Sequence, residues 1–200
     1  MTDSPLAADA LEKVIAALEE SARVKERLAA AGADSIVRAA EVVARALASG
    51  GAVYFCGNGG SAADAQHLAG ELVGRFAAER PAMRAAALTT DTSVLTAVAN
   101  DYGFDEIFSR QVEGLVRAGD CVVGLSTSGK SPNVVKALRK ARELGAAALA
   151  LTGAEGGPVA DAADVAIVVP ARASWRVQEA HITVGHIICE LVESALARRG

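Results

Sequence analysis

The chain has 200 residues, 52% of them hydrophobic and 22% charged, with a formal net charge of −4. That length and apolar content suit a single domain with a sizeable core. The acidic balance, the lack of a long basic run and the presence of only four Phe, two Tyr and one Trp argue against nucleic acid or an anionic membrane as partner. Cys56, Cys121 and Cys189 are widely spaced and lie in apolar contexts. They read as reduced core thiols of a cytoplasmic protein. Met1 to Ala8 carries no signal pattern, and charge or glycine interrupts every apolar stretch before the about 18 residues a membrane span needs.

The first fifty residues read as helical. Leu11, Val14, Ile15 and Leu18 recur at helical spacing, and a second helix is expected over Ile36 to Ala48. Ala31-Gly32-Ala33-Asp34-Ser35 is the expected turn between them, with Asp34 or Ser35 as cap. Residues 1–50 thus form an N-terminal helical hairpin and residues 51–200 one structural unit. Beyond Gly50-Gly51 the pattern changes to short apolar runs: Ala52–Cys56, Ala85–Thr89, Cys121–Leu125, Ala147–Leu151 and Val165–Val169. Each is continuously apolar, as strands covered on both faces are. Helices are expected at Ser61–Arg75, Thr92–Ala99, Asp105–Val116, Pro132–Leu144, Pro158–Ala163 and Ser174–Arg198. This βαβ series predicts an α/β fold, a five-stranded parallel sheet flanked by helices with right-handed crossovers. Ligands of such sheets bind outside the carboxyl ends of the strands.

The first strand runs into Gly57-Asn58-Gly59-Gly60-Ser61. The glycines permit close backbone approach to a ligand, and Ser61 is placed to cap the next helix. Neither the dinucleotide Gly-x-Gly-x-x-Gly spacing nor a Gly-Lys-Ser/Thr P-loop is present, which favours a phosphorylated ligand smaller than a nucleotide. An ordinary tight turn is the alternative. In the helix that follows, His67 and Glu71 are four apart and Asp64 joins their stripe. Imidazole and carboxylate at this spacing suit a divalent metal or general-base work, though solvated helices carry the same pair.

Ser126-Thr127-Ser128-Gly129-Lys130-Ser131-Pro132 places four hydroxyls between a strand and a helix. The free N–H groups and positive dipole end of that helix make it a seat for phosphate. Pro132 suits the first helical position and Ser131 the N-cap, so a well-capped helix after a serine-rich turn is an equally weighted alternative. The last helix carries Gln178, His181 and His186. Periodicity there leaves His181 and His186 on equal footing.

Taken together these segments resemble the bacterial phosphoheptose isomerases of the sugar-isomerase (SIS) fold, a flavodoxin-like three-layer architecture. The carriers are Gly57 through His67, Glu71-Leu72-Val73-Gly74-Arg75-Phe76, Asn100-Asp101-Tyr102-Gly103-Phe104, Phe108-Ser109-Arg110-Gln111, Ser126-Thr127-Ser128-Gly129, Gln178-Glu179-Ala180-His181 and His186. The resemblance runs from about Leu11 to Glu193. It implies conversion of sedoheptulose 7-phosphate to D-glycero-D-manno-heptose 7-phosphate, with Glu71 and His186 exchanging protons. It further implies that Ser126, Thr127, Ser128 and Ser131 hold the phosphate, and that Asn58, Gly59, Gly60, Ser61, Asn100, Asp101 and Gln178 meet the substrate. His67, Glu71, Gln178 and His186 match the positions that hold one Zn2+ per subunit in relatives, and a homotetramer is implied. Lys130 stands where many relatives have Asn, and either strengthens the phosphate site or faces solvent. Trp175 is larger than expected at its position and would narrow the sugar pocket.

Gln178 and His186 are about 12 Å apart along a regular helix and roughly 80° around it. One ion is therefore shared between them only if the helix begins late or if different subunits complete the site, so active sites at subunit interfaces are expected. The competing class is a non-catalytic SIS protein that binds a partner such as the replication initiator. The presence of both Glu71 and His186 argues for the enzyme. A phosphosugar-sensing regulator would need a basic helix-turn-helix domain that the first fifty residues do not supply.

Overall fold

A computed structural model describes residues 9–197. Met1 to Ala8, read above for a signal pattern, and Arg198, expected to end the last helix, lie outside the described residues. Element order is α1 (Ala10–Ala48), β1 (Val53–Gly57), α2 (Gly60–Val73), β2 (Ala85–Ala87), α3 (Thr92–Tyr102), a 3-10 turn (Phe104–Glu106), α4 (Ser109–Leu115), β3 (Cys121–Ser126), α5 (Pro132–Glu143), β4 (Ala147–Gly153), α6 (Gly157–Asp161), β5 (Val165–Val169) and α7 (Ser174–Ala197). The five strands are all parallel in the order β2-β1-β3-β4-β5. This is the expected sheet, and its order reverses between β1 and β3.

The expected N-terminal hairpin is not formed. α1 is one helix of 39 residues running straight through Ala31–Ser35. Its buried stripe, Val24, Leu28, Ile36, Ala39, Ala40, Val43 and Ala46, keeps helical phase across Gly32, and that burial outweighs the about 1 kcal/mol an internal glycine costs. Ser35 accepts from Arg38 at 3.1 Å and does not cap. The expected Asp105–Val116 helix is split as well, because Ser109 Oγ turns back to the Glu106 carbonyl at 3.1 Å.

Alternation along the strands divides the core in two. Val53, Phe55, Cys121, Val123, Leu125, Leu149, Leu151, Ile167 and Val169 face α1, α2 and α7. Cys56, Val122, Ala148 and Ala150 face α4, α5 and α6. By length and composition α7 is apolar enough to cross a membrane, but Val177, Ala180, Val184, Ile188 and Val192 are buried in the first core. The three cysteines are buried and free, and burial pushes the Cys56 thiol up to about 12.

A helix joining parallel strands runs back along the sheet. The Leu72 carbonyl near the end of α2 accepts from Met83 N at 3.1 Å, just before Ala85 pairs with Val53, the first residue of β1. α2 therefore starts at the carboxyl edge of the sheet and ends at the opposite edge. Gly124 lets α5 lie directly on β3, since a Cβ there would sit 2.6 Å from Val134 Cγ1 and 3.2 Å from Leu138. Both neighbours are fully buried. Gly124→Ala is expected to cost about 1–3 kcal/mol of stability, read as a lower midpoint in urea with unchanged slope.

Candidate active site

The carboxyl ends of β1 and β3 are adjacent and tied together. Asn58 and Asn133 exchange reciprocal side-chain hydrogen bonds at 2.9 Å. Asn133 is buried, and its Oδ1 also accepts from Val134 N at 2.9 Å. This clamp fixes the glycine turn of β1 against the N-terminus of α5. Asn133 escapes a motif reading because nothing in the local pattern separates it from an ordinary second helical residue.

The hydroxyl loop lies at the same edge. Ser126 and Ser131 join Oγ to Oγ at 2.8 Å, so Ser131 occupies the N-cap position without capping by its side chain. Pro132 has no N–H and the Val134 N–H already donates to Asn133 Oδ1, so the Asn133 N–H is the leading donor of α5 left for another acceptor. Lys130 N donates to Ser128 Oγ at 3.2 Å, and the exposed Lys130 side chain faces solvent. Thr127 Oγ1 donates to Ser174 Oγ at the start of α7 at 3.5 Å. Gly129 is at φ +67°, and a Cβ there would collide with the Gly156 carbonyl. Loop and α6 turn are thus held backbone to backbone. At β1, α2 begins at Gly60 with Gly59 as N-cap. Ser61 does not cap it and lies buried in the first turn.

His67, Glu71 and His186 form a second group. His67 Nε2 lies 2.9 Å from His186 Nε2 and 3.2 Å from Glu71 Oε1. One donor atom from each of the three falls within 4.8 Å of the others. The Phe76 ring lies against His186, centroids 5.6 Å apart. α7 runs alongside α2 in the same direction, with Gln178 over Gly60 and Gly185 against Leu68. Burial raises the Asp64 carboxyl pKa, opposed by the nearby His67.

The two groups are not neighbours within one chain. His67 lies roughly 10 Å, and Glu71 roughly 16 Å, along α2 from its start beside the cradle. Gln178 stays at the carboxyl edge, its carboxamide packed on Gly60. α7 is regular from Ser174, which removes a late-starting helix as a way to bring Gln178 to His186. Asn100 and Asp101 are exposed at the end of α3, with Asn100 Nδ2 donating to Asp101 Oδ1 at 2.7 Å. Among the described residues no hydrogen bond joins them to either group. Trp175 is 63% exposed near the start of α7.

The structure separates the two histidines that periodicity left equal. His186 faces His67 and Glu71, whereas His181 is fully buried with neither ring nitrogen hydrogen-bonded among the described residues. The Thr152 backbone lies beside its ring, but desolvation dominates and lowers its pKa to about 4.

A SIS-domain family model matches residues 18–153. The phosphoheptose isomerase of Neisseria gonorrhoeae superposes with a TM-score of 0.87 at 45% identity, covering 92% of this chain and 98% of that one. That of Francisella tularensis gives 0.88 at 36% identity, covering 92% and 98%. The fold and site thus define a SIS-domain sugar-phosphate isomerase. A curated phosphoheptose isomerase from Aquifex aeolicus is 53% identical over 189 residues, 94% of this chain and 99% of its own length. The chain belongs to the phosphoheptose isomerase family.

His181 gives a stability test. Unfolding exposes an imidazole that binds a proton near 6.5, whereas the folded group waits until about 4. Between those values the unfolded state holds more protons, so stability falls as pH falls. Urea melts across that window are expected to show a shallower loss for His181→Leu than for the wild-type chain.

Proposed function

We propose that the protein interconverts sedoheptulose 7-phosphate and D-glycero-D-manno-heptose 7-phosphate through an enediol, at sites shared between subunits of a homotetramer. The observation that carries the reading is the convergence of His67, Glu71 and His186, in a chain whose β3–α5 loop offers hydroxyls and a helix N-terminus to a phosphate.

Glu71 takes the proton from C1 of the ketose. The C–H electrons form the C1=C2 double bond while His186 gives a proton to the C2 oxygen. His186 then recovers a proton from the C1 hydroxyl as Glu71 delivers its own to C2, leaving the aldose. Ser126, Thr127, Ser128 and Ser131 hold the phosphate, and Asn58, Gly59, Gly60, Ser61, Asn100, Asp101 and Gln178 orient the sugar. Phosphate binding, remote from the reacting carbons, holds them in register.

Two imidazole nitrogens and a carboxylate oxygen are a donor set suited to zinc. His67, Glu71 and His186 would hold one ion per subunit, with Gln178 from a neighbouring subunit. When bound, it supplies Lewis-acid polarisation of the substrate oxygens. Sharing is argued from α2: a cradle and a carboxylate at its two ends serve one sugar only if they come from different copies. The exposed apolar stripe Leu11, Val14, Ile15 and Leu18 on α1 supports assembly through that helix. The buried free thiols suit the cytoplasm.

Turnover of sedoheptulose 7-phosphate by purified protein, with and without chelator, tests the reading. Glu71→Gln is expected to cut kcat by about 100- to 10,000-fold while light scattering still reports the tetramer. Retained turnover removes Glu71 from the base role. Ser128→Ala is expected to weaken binding chiefly, raising KM about tenfold, the loss of roughly one hydrogen bond to a charged group. A loss confined to kcat would contradict the cradle's assignment to phosphate.

A further inference from the structure

The segment after α2 is held by a buried ion pair whose carboxylate, on Glu193, lies on a face that helical periodicity alone reads as solvated. Glu193, on α7 two turns past His186, is 6% exposed. Its carboxylate accepts from three successive backbone N–H groups, Phe76 at 3.2 Å, Ala77 at 2.9 Å and Ala78 at 2.8 Å, and from Arg80 Nε at 2.8 Å. The Ala78 N–H leads these donors, and together they outweigh the cost of burial and hold its pKa down to about 2. Arg80 completes the arrangement from its other side. It donates to the carbonyls of Glu71 and Leu72, each at 2.9 Å. Both carbonyls belong to the last turn of α2, which has no helical donors ahead of it and faces the negative end of the helix dipole.

We propose that the Glu193–Arg80 clasp is a positioning device for the reaction, holding Glu71 and His186 in the geometry that transfers the proton. Glu193 draws Phe76 in by its backbone, and the Phe76 ring lies on His186. Arg80 bonds the backbone of Glu71 itself. One carboxylate thus fixes both partners, the base through Arg80 and the imidazole through Phe76. Glu193 touches neither substrate nor reacting atoms. The other reason to bury an ion pair, stability alone, does not require its guanidinium to end on the catalytic turn. Breaking such a pair also leaves a charge buried without its partner, so the clasp has one stable arrangement.

The inference rests on Glu71 and His186 being the proton-transfer pair, and the test separates the two. Steady-state kinetics of Glu193→Gln and Arg80→Lys are measured on tetrameric protein well below each variant's melting temperature. Both variants retain side-chain volume. Arg80→Lys keeps the charge but loses the fork that reaches two carbonyls. The expected result is a fall in kcat of roughly 10- to 100-fold with KM within about threefold, because misplacement of a reacting group by about an ångström costs that much and the clasp makes no hydrogen bond to the residues of the phosphate cradle. Wild-type kcat in either folded variant overturns the positioning role, even if its melting temperature has dropped. A rise in KM at unchanged kcat overturns it equally. If Glu193→Gln does not fold, Arg80→Lys decides alone. Loss of turnover in Glu71→Gln alongside normal kcat in the clasp variants defeats this inference only, whereas an active Glu71→Gln defeats the catalytic assignment and the clasp's role with it.

Discussion

The direction of α2 is the constraint on which the rest of the structure depends. A helix that crosses between parallel strands must return along the sheet. It carries its first turn at the ligand-binding edge and its last turn at the opposite one. The hydroxyl loop at the end of β3 and the glycine turn at the end of β1 are held together by Asn58 and Asn133. Glu71, eleven residues into the chain from Gly60, is carried away from them. The proposed function needs both ends of α2 for one small substrate and brings them together from separate copies. The long α1, with apolar side chains left uncovered over its first turns, suits a fold built to associate.

Close helix packing gives the second group its geometry. Gly185 allows α7 to lie against Leu68 of α2, and the next residue, His186, comes within hydrogen-bonding distance of His67. One turn further along α2 stands Glu71, and at its end the chain folds over so that Phe76 reaches His186 and Arg80 caps the free carbonyls. Polar groups at this end are anchored by the charge-assisted hydrogen bonds of Arg80 and Glu193, whereas the β3–α5 loop is built from hydroxyls and backbone. The two halves of the proposed site therefore differ in kind: one held by an ion pair, the other by hydroxyls and backbone.

Much of this was legible in the chain. The continuous apolar runs located all five strands within a few residues, because parallel strands covered on both faces need apolar side chains on each; at the edges the cover is incomplete, and Ala86 of β2 and Val168 of β5 are exposed. The hydroxyl loop and Pro132 marked the start of α5. The reading failed where distant packing decides. Asp34-Ser35 is a good capping pair locally, yet the buried stripe from Val24 to Ala46 keeps α1 continuous. His181 and His186 are indistinguishable by periodicity, since helical phase says nothing of whether a neighbouring helix covers one ring and presents a second imidazole to the other. Glu193 and Arg80 are 113 residues apart, and no local pattern links them.

Subunit complementation tests the shared site most directly. A Glu71→Gln chain keeps its cradle, and a Gly129→Ala chain keeps its carboxylate. Each assembled alone lacks one half of every site. Co-refolding the two in equal amounts, followed by a sedoheptulose 7-phosphate turnover assay, is predicted to restore activity to about a quarter of the wild-type level, the fraction of randomly assembled interfaces with both halves intact. Mixed tetramers with no more activity than the separate variants would place both halves within one chain and contradict the account.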